Sequence, residues 1–217
     1  QIWGQQFLVD ERKTYTKQLW KNTIETMQVL CKYSVSFTEN GDEKCQIDDS
    51  LKNELINTLK LKNDTFNVKI CESFKKLWND PGIQQTYRNR NKYYIMDNAN
   101  YLFKNMPRFS KKDYIPSFDD ICFSRGTTTG IVTETFEYSG VKFKVFDIGG
   151  QRNERKKWLG QFDNVKAIIY VMSLAGFNQV IYEDNKTNKF EESLDAYQKH
   201  MAHKSLKSIN IILFLNK

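Results

Sequence analysis

The chain has 217 residues, of which 33 are basic and 26 acidic, giving a formal net charge of +7. Apolar residues make up 40% and aromatic residues 14%, enough for packed cores and too much for a disordered tract. No apolar run reaches the roughly 20 residues that cross a bilayer, and the start, Gln1-Ile2-Trp3-Gly4-Gln5-Gln6, lacks both the order of a signal peptide and an initiating Met.

Up to about residue 115 the patterns are helical. From Asp10 to Phe37, Leu19, Ile24, Met27, Leu30 and Cys31 recur at the spacing of one long amphipathic helix. Phe37 to Cys45, with Thr38, Asn40, Gly41 and Asp42, reads as a loop. Ile47-Asp48-Asp49-Ser50 opens a second helix carrying Leu51, Leu55, Ile56 and Leu59. A third spans Asn67 to Trp78, with Val68, Cys71, Phe74 and Leu77 on one stripe, and Asn79-Asp80-Pro81-Gly82 stops it. Ile83 to Asp97 predicts another helix, and Tyr101-Leu102-Phe103 a short piece.

After Pro116 strands and helices alternate. Gly130 to Tyr138 is β-branched and strand-like, Ser139-Gly140 is a turn, and Val141, Phe143, Val145 and Asp147 alternate with Lys142, Lys144 and Phe146. Arg152 to Phe162 predicts a helix. Val165 to Leu174 predicts a strand covered on both faces, Glu183 to Lys204 a helix, and Ile209 to Leu215 a second covered strand. The order implies a mostly parallel sheet. A buried strand that stops at Lys217, without a following helix, is expected of a cut domain.

Several features carry only ordinary readings. Cys31, Cys45, Cys71 and Cys122 are far apart, with no Cys-x-x-Cys pair, and read as reduced thiols rather than a zinc site. His200 and His203 share a helix face and read as surface. Trp3, Trp20 and Trp78 read as core, and Trp158, beside three basic residues, reads equally as interface or core. The basic clusters 88–92 and 152–157 are short and mixed with other residues, so nucleic acid is not the expected partner.

Two motifs carry chemistry. Val145-Phe146-Asp147-Ile148-Gly149-Gly150-Gln151 delivers a carboxylate to the carboxyl end of a strand, where ligands sit in open α/β sheets. Its glycines let backbone N–H groups approach an anion, and Gln151 adds an amide that both donates and accepts. A strand-to-helix turn with no ligand is the plain alternative. Arg125-Gly126-Thr127-Thr128-Thr129-Gly130 holds a guanidinium that can bind phosphate bidentately and hydroxyls that suit Mg²⁺. By itself it also fits a Thr-rich surface loop.

Taken in order, the two motifs resemble the alpha subunit of a heterotrimeric G protein. Thr128-Thr129-Gly130-Ile131-Val132 and Asp147-Ile148-Gly149-Gly150-Gln151-Arg152-Asn153-Glu154-Arg155-Lys156-Lys157-Trp158 carry the likeness most specifically. Phe214-Leu215-Asn216-Lys217 resembles the start of that family's Asn-Lys-x-Asp guanine motif, and Asn79-Asp80-Pro81-Gly82-Ile83-Gln84 and Tyr114-Ile115-Pro116 resemble parts of its helical domain. The resemblance implies an α/β fold: a partial P-loop GTPase (Ras-like) domain over 121–217, preceded by an inserted all-α domain over 10–120 and a linker over 1–9.

The resemblance also implies roles. Arg125 would act on the transferring γ-phosphate and Gln151 would orient the attacking water. Thr128 and Asp147 would hold Mg²⁺, the latter through water, and Gly150 N–H would sense the γ-phosphate. Ile148, Gly149, Asn216 and Lys217 would line the nucleotide, with Asp97, Asn98, Cys122, Phe123 and Ser124 at its edge. Arg155, Lys157 and Trp158 would meet the beta-gamma dimer or an effector. The implied ligands are GTP and GDP. The implied partners are the beta-gamma dimer, a G-protein-coupled receptor, effector enzymes and GTPase-accelerating regulators. The implied location is cytoplasmic, at the inner face of the plasma membrane, reached through an N-terminal region that the chain lacks.

The chain departs from the family pattern at Gly126 and Thr127, where Val-Lys is common, at Asn153 and at Asp97-Asn98. No Gly-x-x-x-x-Gly-Lys-Ser/Thr cradle occurs. The expectation is an internal segment of a longer alpha subunit, which binds GTP poorly by itself. The alternative is a partner-binding module without nucleotide turnover.

Overall fold

The computed structural model describes residues 8–162, 165–206 and 208–216; Trp3 and Lys217 lie outside them. The chain divides into two compact units, Gln1–Arg125 and Gly126–Lys217.

The first unit is helical. The single helix expected from Asp10 is two, α1 (Val9–Thr14) and α2 (Thr16–Glu39). Between them the Tyr15 N–H bonds back to the Arg12 carbonyl at 3.1 Å, a tighter turn than the α-helix makes. The loop expected from Phe37 starts later, because α2 runs on to Glu39. There Gly41, at φ 92°, takes the left-handed conformation, Gly41 N–H bonds the Thr38 carbonyl at 3.0 Å and Asp42 N–H bonds the Phe37 carbonyl at 2.9 Å. That is a Schellman stop.

α3 (Lys52–Lys60) and α4 (Val68–Asn79) follow, the latter capped by the Asn67 side chain, which accepts from Ile70 N–H at 3.1 Å. Asn79-Asp80-Pro81-Gly82 does more than end α4. Asp80 accepts from Ile83 N–H at 3.0 Å and Pro81 takes the first helical position, so α5 (Pro81–Arg88) begins at once. The helix expected to reach Asp97 stops at Arg88 because Tyr93 turns into the core. Tyr93 is 1% exposed, its hydroxyl bonds the Thr86 carbonyl at 2.9 Å, and its ring stacks on Tyr33 at 4.1 Å. α6 (Ala99–Phe109) extends the short piece expected around Tyr101, and α7 (Phe118–Phe123) opens with a capping box between Ser117 and Asp120.

The core gathers on α2, which packs against α3, α5 and α6. Leu19, Ile24, Met27 and Leu30 meet Phe74 and Leu77 of α4, Ile83 of α5, and Leu102, Met106 and Phe109 of α6. Each such side chain contributes about 1.5–3 kcal/mol by leaving water. Trp20 and Trp78 pack against this core partly buried. Cys31, Cys45 and Cys71 are buried free thiols, and burial pushes Cys31 up to about 12.

The second unit holds four described strands in two pairs. β1 (Ile131–Tyr138) and β2 (Val141–Ile148) are antiparallel, joined at Ser139 and Gly140, both of positive φ as a two-residue hairpin requires. Phe136 and Phe143 stand opposite each other with rings stacked at 5.3 Å. β3 (Ala167–Ser173) and β4 (Asn210–Asn216) are parallel. The expected mostly parallel sheet is therefore two separate two-stranded pieces, one of each kind.

β3 is not covered on both faces as its apolar run suggests. Ile168, Tyr170 and Met172 turn inward, whereas Ile169 and Val171 stay more than half exposed. α8 (Lys189–Met201) lies against β3 and anchors the Tyr170 hydroxyl through the Ser193 carbonyl at 2.8 Å. β4 is likewise exposed at Leu213, Phe214 and Leu215. Residues expected to form a helix from Arg152 to Phe162 make two single turns, Arg155–Lys157 and Leu159–Gln161, and the helix expected from Glu183 starts at Lys189 under an Asn188 cap. Among the described residues no helix is long and apolar enough to cross a membrane.

Candidate functional site

In the second unit β2 carries Asp147 near its end, opposite Val132 of β1, and the chain then turns sharply at Gly149 and Gly150. The segment before β1 lies against that turn. Gly149 N–H points at the Gly130 carbonyl at 3.4 Å, and Gly130 N–H donates to Glu154 Oε2 at 3.0 Å. Gly149 can be nothing larger: a methyl there would fall 2.5 Å from the Thr128 carbonyl oxygen and 2.7 Å from Glu154 Cγ. Gly150 faces open space. The structure thus brings Thr128, Gly130, Gly149 and Glu154 together, on a turn that also carries Gln151.

Glu154 is the acid that sequence reasoning passed over, although it is the only acid in the basic run 152–157. Lys157 bonds it at 2.6 Å, and this contact, joined by the Gly130 N–H, holds its carboxyl below the usual range. Trp158 is 8% exposed, donates its indole N–H to the Gly149 carbonyl at 2.8 Å, and packs with Phe162, Leu206, Ile148 and Tyr170. His200 leans on the Trp158 ring at 4.7 Å. Of the three residues suggested for a partner, Trp158 therefore packs inward, Arg155 is mostly buried, and Lys157 keeps half its side chain in solvent.

The basic residues of the turn are tied to the chain around α8. Arg152 bonds Asp184 at 2.9 Å and Thr187 at 3.3 Å and also pairs with Glu192. Arg155 bonds Glu192 at 2.7 Å and the Gly150 carbonyl at 3.1 Å. Hydrogen bonds from Arg152, against some burial, and then from Arg155 hold the Glu192 carboxyl down at about 2. Hydrogen bonds from Thr187 and the Lys186 N–H hold the Asp184 carboxyl well below its ordinary range. Neither acid stood out in the sequence, because the charges they answer lie more than thirty residues away. Asp147, Ile148, Gly150, Gln151 and Arg155 line a cleft of about 430 Å³ that continues along Ile168–Val171.

The first unit holds the other candidates. Asp97 is exposed and Asn98 is buried. Asn98 donates to the Phe123 carbonyl at 2.5 Å while its own Oδ1 has no hydrogen-bond partner among the described residues. Phe123 stacks on Tyr101 at 3.9 Å, Ser124 bonds the Ile121 carbonyl at 2.7 Å, and Cys122 is exposed. The Arg125 main chain is fixed by Asn22 and Gln18, and its side chain is exposed. Asn216 ends β4 opposite Ser173.

The donor chemistry fits Mg²⁺ and a phosphate. Thr128 and Asp147 offer hard oxygens, and Mg²⁺ characteristically takes only one or two from a protein, with water and phosphate oxygens completing its shell. Gly150, open on its outer side, presents its backbone without a side chain in the way.

Comparison with known proteins places these motifs among relatives. The chain matches the G-protein alpha subunit family over residues 1–217. It is 42% identical over 160 residues to a guanine nucleotide-binding protein alpha-7 subunit of Caenorhabditis briggsae, covering 74% of this chain and 46% of that protein. It is 37% identical to an alpha-2 subunit of Caenorhabditis elegans over 99% of this chain and 61% of that protein. It is 34% identical to a G(o) alpha subunit of Lymnaea stagnalis over 97% of this chain and 60% of that protein. The chain spans about half to three-fifths of the length of these relatives.

Proposed function

Because the chain belongs to the G-protein alpha subunit family, we propose that its protein is a guanine-nucleotide switch that hydrolyses GTP to GDP and signals through the change. The observation that carries the reading is the Thr128–Gly130 segment fastened to the Gly149–Glu154 turn through the Gly130 and Gly149 amides. Two loops that share hydrogen bonds can be ordered together by one ligand and released together when it is lost.

The residues divide the work. Arg125 offers a charged fork to the γ-phosphate, where charge grows as the bond breaks. Gln151 accepts from and donates to a water and so orients it for in-line attack. The hydroxyl of Thr128 and, through water, the carboxylate of Asp147 would hold Mg²⁺, which supplies charge neutralisation between the phosphates. The Gly150 N–H would sense the γ-phosphate, and Ile148 and Gly149 would line the nucleotide. Asn216 and Lys217 meet the guanine, and Asp97, Asn98, Cys122, Phe123 and Ser124 edge the nucleotide. The arrangement is a helical domain inserted ahead of the first nucleotide loop. Receptors, effectors, the beta-gamma dimer and GTPase-accelerating regulators follow from the same reading, with Arg155, Lys157 and Trp158 on the segment that answers them at the inner face of the plasma membrane.

The test is GTP hydrolysis by the protein expressed from the full reading frame that contains these residues. Phosphate release that needs Mg²⁺, and falls on the order of a hundredfold or more in Gln151→Leu, supports the switch. Tight GTP binding with no release in any form overturns it.

A further inference from the structure

Asn22 sits in α2, within the helical core, and is 1% exposed. A polar side chain so deeply placed must find partners, and both of its functional atoms go to one residue. Its Nδ2 donates to the Arg125 carbonyl at 2.8 Å, and its Oδ1 accepts from the Arg125 N–H at 2.8 Å. One helical turn earlier, Gln18 Nε2 donates to the same carbonyl at 2.7 Å. The Arg125 main chain is thus held as a strand neighbour would hold it, by a carboxamide that matches its donor and acceptor together. Asp lacks the donor, Leu lacks both groups, and Ala reaches neither.

The clamp grips the root of the side chain and leaves its head free, since Arg125 itself is exposed. We infer that Asn22, supported by Gln18, is a positioning residue for Arg125: it fixes the backbone from which the side chain starts, so that less of the chain must be ordered when the guanidinium meets a phosphate. The inference rests on the reading of Arg125 given under Proposed function. A group that must meet developing charge acts through preorganisation, and small misplacements are costly.

The experiment uses the protein expressed from its full reading frame. Amide hydrogen exchange reports the clamp, and single-turnover GTP hydrolysis together with GTP affinity reports its consequence. Asn22→Leu should speed exchange of the Arg125 amide. Asn22→Leu and Asn22→Asp should slow hydrolysis roughly tenfold to a hundredfold while affinity stays within about twofold. Arg125→Ala should slow it by about a thousandfold, the general worth of such an arginine, and Asn22→Leu added to Arg125→Ala should slow it no further. Gln18→Leu, at a partly exposed position, gives a milder slowing and serves if Asn22→Leu does not fold. Slow hydrolysis in Arg125→Ala beside unchanged rates in Asn22→Asp and Gln18→Leu overturns the positioning role alone. Unchanged hydrolysis in Arg125→Ala overturns the reading of Arg125 and the positioning role with it.

Discussion

Replacing Asp120 with Asn removes the most heavily bonded carboxylate of the helical unit. Asp120 is fully buried, accepts from Ser117 N–H at 2.7 Å, from the Tyr101 hydroxyl at 2.7 Å, and from both Arg108 terminal nitrogens at 2.7 and 3.1 Å. Burial alone pushes its carboxyl up. The bonds from Ser117, Tyr101 and Arg108 outweigh that and hold it at about 2 against an ordinary 3.8. The difference corresponds to about 2 kcal/mol of folding stability at neutral pH. An Asn amide would keep an acceptor for Ser117 but turn a donor toward Arg108. The guanidinium side chain is 43% exposed and retains water, so no isolated buried cation remains, and the loss should stay near 2 kcal/mol rather than the 3–5 kcal/mol of a stranded ion.

The sign in pH follows from the same numbers. The folded carboxyl titrates below the unfolded one, so its contribution is complete above about pH 4 and disappears as pH falls toward 2. Urea unfolding followed by far-UV circular dichroism at pH 7 and pH 3 reads both effects. Asp120→Asn should unfold at lower urea at pH 7 and should lose less than the wild type on acidification. Equal stability at pH 7, or an unchanged drop in acid, would refute the account of this network.

Other expectations are sharper in geometry than in size. Gly82→Ala places a methyl 2.1 Å from the Gln46 carbonyl oxygen, and because the obstacle is backbone, the helical unit should lose about 3 kcal/mol in thermal or urea unfolding. Gly149→Ala should destabilise the second unit for the same reason, whereas Gly150→Ala, which enters open space, should leave its unfolding midpoint unchanged; equal effects would contradict the close approach at Thr128. Glu154→Ala should speed amide exchange at Gly130 roughly tenfold by removing its acceptor, while Glu154→Gln, which keeps one, should leave that amide protected.

What could be read from the chain and what could not separates by distance along it. The hairpin was legible because period-two alternation and Ser139-Gly140 act within a few residues, and the stop at Asn79-Asp80 was legible because a cap and a proline act locally. The residues from Arg152 to Phe162 have ordinary helical propensity, yet Arg152 and Arg155 are drawn to the distant Glu192 and Trp158 is drawn inward to the Gly149 carbonyl, and these tertiary bonds decide the backbone. Tyr93 is the same case in the first unit: burial of one ring ends a helix that periodicity would continue.

The candidate site divides along the same line. Arg125, Thr128, Asp147 and Gln151 announce themselves because their chemistry is packed into short motifs. Asn22 does not, since it lies 103 residues from the residue it holds and reads, in sequence, as one polar position in an apolar stripe. A buried amide inside a helix is nevertheless a question that sequence can pose: its donor and acceptor must both be answered, and here the answer is the main chain of Arg125, the arginine to which the proposed function gives the γ-phosphate. Positioning residues of this kind are found by accounting for every buried polar atom, because nothing in local pattern distinguishes them from the core that surrounds them.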